Sequence, residues 1–325
     1  MKPAFSVIFL TTLIGAGQGL FLALFTQQSY ALFDLLPHQD ARFYAWGSLL
    51  ALVFTMAGLI ASFFHLGRPE RAWRSATQWR TSWLSREVII LPAFMGILFL
   101  YGASHLGGFD PVLLTLPSGL NINATIVLGG LGTMLAFALF VSTGMIYACL
   151  RFLQEWHSPL TVVNFILLGG ASGFTLATLY AAVYAPSQAG FFGGWAIIIT
   201  LLAFAGRSAS LWRNARLKPK STLQTAIGIK HPRIVQTAQG AMGGSFNTRE
   251  FFHGRSASFF STVKAAFLLL AFAAPVLLLA VNLNYPSGLL LGIAFILQYF
   301  GLLAERWFFF AQANHPQNLY YQNIS

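Results

Sequence analysis

The sequence predicts an all-α integral membrane protein, a bundle of eight transmembrane helices in one domain over residues 1–325, and two observations carry this prediction. The first is composition: 56% of the residues are hydrophobic and only 8% are charged, whereas ordinary soluble domains are about 25% charged. The second is the grouping of the apolar residues into eight runs, each long enough to cross a ~30 Å hydrocarbon core as a helix of about 20 residues.

Each predicted span is defined by its flanks. The first follows the single Lys2 and is too long for the core of a signal peptide, so we expect it to stay uncleaved. Polar connections at 65–86, 151–158 and 212–260 separate later spans, and glycines within the fourth and fifth spans suit close helix packing in lipid. The predicted spans are 4–26, 43–64, 87–107, 123–150, 159–184, 190–211, 261–283 and 287–310.

The basic residues predict the orientation. Eight spans place both termini and the connections 65–86, 151–158 and 212–260 on one side, which carries every one of the 19 Lys and Arg residues except Arg42. By the positive-inside rule this side is expected to be cytoplasmic, in a bacterial inner membrane. The net charge of +11 therefore indicates topology rather than nucleic-acid binding. The long cytoplasmic loop 212–260, between the sixth and seventh helices, is expected to dock a partner.

Histidine and cysteine positions argue against a metal cofactor in this chain. A haem held between helices needs two histidines at matching depth on different spans. His65 and His105 instead fall toward opposite faces, and the single Cys149 cannot hold an iron–sulfur cluster. We therefore expect no haem, iron–sulfur cluster or other metal site here. Electrons crossing this chain would need a diffusible, lipid-soluble carrier, which describes a quinone.

Ionisable residues within the spans bear on a transport function. They lie near span ends, at Glu87, Lys264, Glu305 and Arg306, which disfavours a relay of carboxylates across the bilayer. An ion-coupled transporter stays open as an alternative, because several polar side chains within the spans are able to line a water path. They are Gln18, Asn164, Asn282 and Gln298.

A quinone site is predicted where the second span ends at His65 and the third begins at Glu87, with Trp83 and Arg86 beside them. Such a site needs an apolar slot, hydrogen-bonding groups for the ring oxygens and a proton acceptor. Plainer explanations stay open. Glu87 suits a helix N-terminus capped by Ser85, His65 suits the membrane interface, and the tryptophans and arginines suit an aromatic belt and a topology signal.

Four further arginines of the same segment are expected to contact a partner subunit or a semiquinone: Arg68, Arg71, Arg74 and Arg80. Arg71 and Arg74 would share one face if PERAWRSATQWR forms an interfacial helix started by Pro69. Lipid phosphate is the alternative ligand for both.

Several blocks of the sequence resemble the membrane-anchor subunits of dimethyl sulfoxide reductase-type molybdoenzymes. They are HLGRPERAW and SWLSRE between the second and third spans, IGIKHPRIV and GGSFNTREFFHG within 212–260, and LLAERWFFFAQANHPQNLYYQ at 302–322. The resemblance implies a three-subunit complex in which this chain holds no metal and binds ubiquinone or menaquinone. It would dock a ferredoxin-like iron–sulfur subunit that connects it to a molybdopterin catalytic subunit. In this family a histidine ending the second span and a glutamate opening the third are implicated in quinol binding, and they match His65 and Glu87.

The predicted orientation distinguishes two branches of the family that the sequence resembles. If the quinone site lies on the arginine-rich side, the iron–sulfur subunit is expected there too, facing the cytoplasm, because electron transfer requires a short gap. That arrangement resembles the anchor of a sulfite dehydrogenase that reduces quinone. The alternative is the anchor of a menaquinol-oxidising respiratory reductase, whose catalytic half is exported. Either way this chain would carry the quinone redox site and take no part in the molybdenum chemistry.

Overall fold

The computed structural model describes residues 1–235, 251, 253–316 and 318. Within these residues, eight helices are long and apolar enough to cross a membrane, as the sequence predicts. In chain order the elements are α1 (Phe5–Leu32), α2 (Ala41–Phe63), a 3-10 helix (Pro69–Gln78), α3 (Trp83–Leu106), β1 (Val112–Thr115), β2 (Asn121–Asn123), α4 (Ala124–Ala148), α5 (Pro159–Tyr184), a 3-10 turn (Pro186–Gln188), α6 (Ala189–Asn214), the short α7 (Leu223–Ile227), α8 (Ala257–Asn284) and α9 (Gly288–Ala311).

Helix α1 extends further than predicted, to Leu32 instead of residue 26. The polar residues that marked the expected end face the interior, where they find partners on other helices. Gln27 accepts a hydrogen bond from the hydroxyl of Tyr44. Gln28 accepts one from Tyr101 at 2.7 Å and donates to Thr125 at 3.0 Å. Because these amides are paired inside the bundle, they do not end the helix.

Helix α3 begins at Trp83 rather than at residue 87, and its cap is Ser82 rather than Ser85. The Ser82 hydroxyl accepts the amide of Ser85 at 3.4 Å. The Ser85 hydroxyl instead donates to the carbonyl of Ser75 and so ties the preceding segment to the helix. Glu87 therefore lies one turn inside the helix, beyond the first turn where an acid caps the backbone amides.

Helices α1 and α5 form the centre of the bundle, with 72% of the most apolar stretch of each buried. Where they cross, Gly19 and Gly173 bring the two backbones into contact. A methyl group on Gly173 would lie 2.1 Å from the carbonyl carbon of Gly19. Small residues at this crossing supply the close van der Waals packing that associates helices in lipid, where no hydrophobic drive is available.

One feature was not predicted: a short antiparallel hairpin between α3 and α4. Val112 pairs with Asn123, Leu114 with Ile122 and Thr115 with Asn121. Gly119 turns the chain with φ +82°, a left-handed value that glycine adopts at no steric cost. The hairpin occupies a connection, so the spans themselves remain helical.

The basic segments meet at one end of the bundle. The amino group of Met1 donates to the carbonyls of Ala311 and Ala313, at 3.3 and 2.8 Å. Trp156 Nε1 donates to the carbonyl of Phe309 at 2.9 Å. Because α2 ends and α3 begins here as well, we call this the arginine-rich end, comprising residues 1–4, 64–82, 149–158, 215–235 and 312–316.

Two of the sequence blocks fall only partly within the described residues. Most of GGSFNTREFFHG, at 243–250 and 252, lies outside them. So do residue 317 and residues 319–322 of the C-terminal block.

Candidate functional site

Glu87 lies inside the bundle, about 6 Å beyond the start of α3 at 1.5 Å per residue. It is only 8% exposed, and its Oε1 accepts a hydrogen bond of 2.5 Å from the hydroxyl of Thr143 on α4. An ionisable group inside an apolar bundle is costly to bury and is retained for function more often than for packing.

Beside Glu87 lies a polar space that we call the Glu87 cavity. Its polar walls come from α1, α3, α4, α5 and α9 and include Thr11, Gln18, Glu87, Thr143, Ser172 and Arg306. Its volume is about 20 Å³, enough for a single water, which needs ~10–15 Å³ by this measure. The Glu87 cavity therefore admits water beside the carboxylate and excludes an aromatic ring.

A buried charge cluster adjoins this cavity. Arg207 of α6 and Glu305 of α9 form an ion pair with 2.7 Å between Nε and Oε1, and both are at most 2% exposed. Arg306 Nη1 lies 3.3 Å from the second oxygen of Glu305, and the Arg306 guanidinium stacks over Phe165 at 3.7 Å. Two arginines thus share one carboxylate, so an ionised Glu87 would balance the remaining positive charge across the Glu87 cavity.

Sequence reasoning missed Arg207. The signal was present, because Arg207 lies within the apolar run of the sixth span, in LLAFAGRSASLW. Arg207 was instead grouped with the basic residues of the connection 212–260 that follows the sixth span. The structure places it about 10 Å before the end of α6, at 1.5 Å per residue, opposite a glutamate on a helix far along the chain.

His65 lies just past the end of α2 and is exposed. His65 does not line the Glu87 cavity. The sequence predicted that His65 and Glu87 share one site, but this cavity does not bring them together. Partial burial lowers the pKa of the His65 imidazole below its ordinary value of 6.5, because desolvation disfavours the charged form. His65 is therefore neutral near pH 7.

Trp83 and Arg86 form one unit at the start of α3. The Arg86 guanidinium lies 4.1 Å above the Trp83 ring, and it donates to the carbonyls of Trp79 at 3.0 Å and Arg80 at 2.9 Å. Arg86 thus holds the preceding loop against α3, and its donors point to the loop rather than to Glu87.

The segment before α3 forms the helix that the sequence analysis considered, as a 3-10 helix with Pro69 in its first turn. In this geometry residues three apart share a side, so Arg71 and Arg74 face the same way, and both are exposed. Arg71 lies 3.8 Å from Glu70. Arg68 and Arg80 are exposed as well, and Arg80 stacks over Trp79 at 5.4 Å.

His105 lies at the opposite end of α3 from Glu87. It is 8% exposed and stacks on Tyr44, with ring centroids 4.5 Å apart. The structure thus separates His105 from His65 by the length of the bundle, as the sequence analysis expected.

Comparison with known proteins identifies the family. The sequence model described as DMSO reductase anchor subunit (DmsC) matches residues 1–321. The chain is also 58% identical, over 325 residues and the full length of both chains, to a sulfite dehydrogenase subunit from Allochromatium vinosum. The resemblance found in the sequence blocks is confirmed, and the eight apolar helices fit a multi-pass anchor. The chain belongs to the DmsC family of DMSO reductase anchor subunits.

Proposed function

We propose that this chain is the quinone-binding anchor of a three-subunit molybdenum enzyme and passes electrons between an iron–sulfur subunit and the membrane quinone pool. Its preferred form is a sulfite dehydrogenase that faces the bacterial cytoplasm and reduces quinone. The observation that carries the proposal is Glu87, a buried carboxylate that shares a water-sized cavity with Thr143 and Arg306 at the arginine-rich end. A passive anchor would have no use for a carboxylate in this costly position.

Two observations favour sulfite as the electron donor. The relative from Allochromatium vinosum, which is named as part of a sulfite dehydrogenase, matches along the whole chain at 58% identity. The basic segments gather at the arginine-rich end, which the positive-inside rule assigns to the cytoplasm. An iron–sulfur subunit docked there would face the cytoplasm together with its molybdopterin partner.

The residues at this end have the chemistry that a quinone needs, although the ring must bind outside the Glu87 cavity because that space holds only water. Trp83 offers an aromatic surface and His65 a neutral imidazole, and neither is fully buried. A bound quinone would supply two-electron redox chemistry. Glu87 would hold a proton at its carboxylate, and Arg86 would keep the loop in place through its bonds to loop carbonyls.

The exposed arginines of the 65–86 segment suit a protein partner. Arg68, Arg71, Arg74 and Arg80 would meet acidic groups on the iron–sulfur subunit, since complementary charge steers association and fixes the docking geometry. The 3-10 helix presents Arg71 and Arg74 on one side, which gives such a partner a defined surface.

A second candidate is the anchor of a menaquinol-oxidising respiratory reductase, and the family description favours it by naming DMSO reductase. The same site would then run in the opposite direction, with Glu87 accepting a proton from the quinol. Transport is less well supported, because two of the polar side chains considered for a water path, Gln18 and Asn282, hold helices or loops together. Gln18 donates to the Ala136 carbonyl at 2.8 Å, and Asn282 accepts from the Ser287 amide at 2.8 Å.

The test of the proposed function is to solubilise native membranes gently and purify the complex through this chain. We expect co-purifying molybdenum and iron, and sulfite-dependent reduction of a soluble ubiquinone or menaquinone analogue. Reduction of dimethyl sulfoxide by a reduced menaquinone analogue, without sulfite oxidation, would establish the second candidate instead. A metal-free protein that purifies alone would contradict both.

A further inference from the structure

We propose that the buried charges at the arginine-rich end form a proton path, which leads from the surface through two small cavities to Glu87. This proposal rests on the proposed function, because it assigns the route by which the quinone site exchanges protons. It adds Glu155 and Asn164, which lie outside the site described above.

Three spaces follow one another and share walls. A surface groove of about 580 Å³ lies between the α4–α5 connection, residues 217–223 and the segment after α9; its walls include Glu155, the exposed Lys218 and Lys220, and His315. We call it the Lys218 groove. Glu155 also lines a second space of about 10 Å³, the Arg207 cavity, together with Arg207, Glu305 and Arg306. Arg306 in turn lines the Glu87 cavity. Glu155 and Arg306 each line two of these spaces, so the three spaces form a series between solvent and Glu87.

The walls of the Arg207 cavity offer hydrogen-bonding atoms to water. Asn164 Oδ1, Gln312 Nε2 and Glu155 Oε2 are buried and have no partner among the described residues. The amide nitrogen of Asn164 donates to Ser210 Oγ at 2.8 Å, and both residues line the Arg207 cavity. Water in polar sites of this size bonds to groups of this kind, and a chain of such waters carries protons.

The arginines stabilise the route rather than carry the proton, since a guanidinium does not deprotonate in proteins. Arg207 and Arg306 flank Glu305 at 2.7 and 3.3 Å, so the three side chains form a paired charge cluster in the wall of the Arg207 cavity. The charged and titratable groups near Glu87 lie on three helices. They are Arg306 and Glu305 on α9, Arg207 on α6 and Tyr147 on α4.

Only protons move along this path. A proton leaves water in the Lys218 groove, passes by way of Glu155, one water in the Arg207 cavity and one water in the Glu87 cavity, and ends on a carboxylate oxygen of Glu87. O–H bonds form and break at each step and no other bond changes. The path works in either direction, so it serves quinone reduction and quinol oxidation alike.

The experiment uses the purified complex with Asn164→Leu and Glu155→Gln. Asn164→Leu removes a hydrogen-bonding side chain from the wall of the Arg207 cavity and leaves the Arg207–Glu305 ion pair in place. Glu155→Gln removes the carboxylate between the Lys218 groove and the Arg207 cavity. We expect quinone-linked kcat to fall by about 10²-fold or more, since a positioned proton-transfer group contributes about 10²–10⁴. The quinone KM, the affinity for a quinone analogue and dye-linked catalysis should stay unchanged, because the quinone and the metal centres bind elsewhere.

Thr178→Val is the matched control. Thr178 lies on the same helix as Asn164, is fully buried, bonds only to its own helix at 2.8 Å and lines neither cavity. This variant should retain the full quinone-linked rate, which separates loss of the path from loss of a buried polar group.

A second readout needs no turnover. The infrared carbonyl band of protonated Glu87, identified by its loss in Glu87→Gln, should shift on transfer to deuterated water within the mixing time in the parent complex. It should shift more slowly in Asn164→Leu and in Glu155→Gln. A Glu87 band absent at every pH would overturn the proposal, because Glu87 would then never hold a proton.

Two outcomes separate the failure of this path from failure of the proposed function. If Glu87→Gln loses quinone-linked turnover while Asn164→Leu and Glu155→Gln keep both the rate and the fast exchange, the path is wrong and the quinone site stands. If Glu87→Gln itself keeps normal turnover with quinone, the proposed function of Glu87 fails, and the path to it fails with it.

Discussion

At the residue scale, Glu87 and Glu305 show how an apolar bundle holds acidic side chains. Glu305 has two arginine partners within 3.3 Å, whereas Glu87 has a neutral hydrogen bond from Thr143 and a water-sized cavity. The first arrangement pairs a buried carboxylate with two cations. The second leaves Glu87 free to exchange a proton with water, which suits a redox site.

The Glu305 ion pairs make a prediction about stability. Glu305→Gln removes the carboxylate and leaves Arg207 and Arg306 buried without a counter-charge. Breaking a buried pair in this way costs about 3–5 kcal/mol, so we expect a marked fall in the thermal midpoint of the complex in detergent. Lys264→Gln, which changes an exposed charge on α8, should leave the midpoint unchanged. Equal midpoints for Glu305→Gln and Lys264→Gln would show that the arginines are paired elsewhere.

His65 makes a prediction about pH. Burial lowers its pKa below 6.5 in the folded chain, so the unfolded chain takes up a proton first as the pH falls. The stability that neutral His65 contributes is therefore complete above pH 6.5 and is lost below it. The same protonation should affect quinone binding. If neutral His65 forms a hydrogen bond to the quinone, the KM of the complex for quinone should rise only below pH 6.5. The variant His65→Gln should abolish that rise. His38→Gln, at the opposite end of the bundle, is the control; an unchanged profile in His65→Gln would remove His65 from the site.

At the element scale, the sequence predicted the eight helices because ~20 apolar residues suffice to cross the bilayer. It placed the ends of α1 and α3 less well: α1 continues past residue 26 through Gln27 and Gln28, and Ser85, predicted as the cap of α3, lies inside that helix. Their partners lie on other helices or in the preceding loop. Hydropathy describes one helix at a time, whereas the pairing of an interior amide depends on a neighbour far along the chain.

The candidate site, like the helices, was predicted from the sequence only in part. Glu87 was predicted because a carboxylate at the start of an apolar run stands out in the sequence. Arg207 was missed because its partner Glu305 lies on α9, far along the chain, and the Glu87 cavity was missed because its walls come from five different helices. The separation of His65 from that cavity likewise follows from the direction in which α2 ends, which no spacing of residues reveals.

The crossing of α1 and α5 makes a prediction about packing. Gly173→Ala would place a methyl group 2.1 Å from the Gly19 backbone, which the two central helices can relieve only by moving apart. We expect a loss of about 1–3 kcal/mol, as for other overpacked cores, seen as a lower thermal midpoint and lower yield of the complex. Gly130→Ala is the control, because a methyl group there meets no atom within 4 Å. Equal stability of the two variants would mean that α1 and α5 do not cross at Gly173.

At the scale of the whole molecule, the orientation in the membrane decides which compartment the partner subunits face. It is tested with single cysteines in a Cys149→Ser background, using a maleimide that does not cross membranes. We expect Gln78→Cys, on the arginine-rich end, to be labelled in inverted vesicles and not in intact spheroplasts. Ser118→Cys, in the hairpin at the other end, should show the reverse. Labelling of Gln78→Cys in spheroplasts would place the partners outside the cytoplasm and favour the reductase.

We propose that this chain carries a quinone redox site in which Glu87 exchanges the proton. The most direct measurement compares Glu87→Gln with Glu70→Gln in the purified complex, by quinone-linked and dye-linked turnover. Glu70 is an exposed carboxylate in the 3-10 helix that precedes α3. We expect Glu87→Gln to lose about 10²-fold or more of the quinone-linked rate while dye-linked turnover persists, and Glu70→Gln to match the parent in both assays. Normal quinone-linked turnover in Glu87→Gln would contradict the claim.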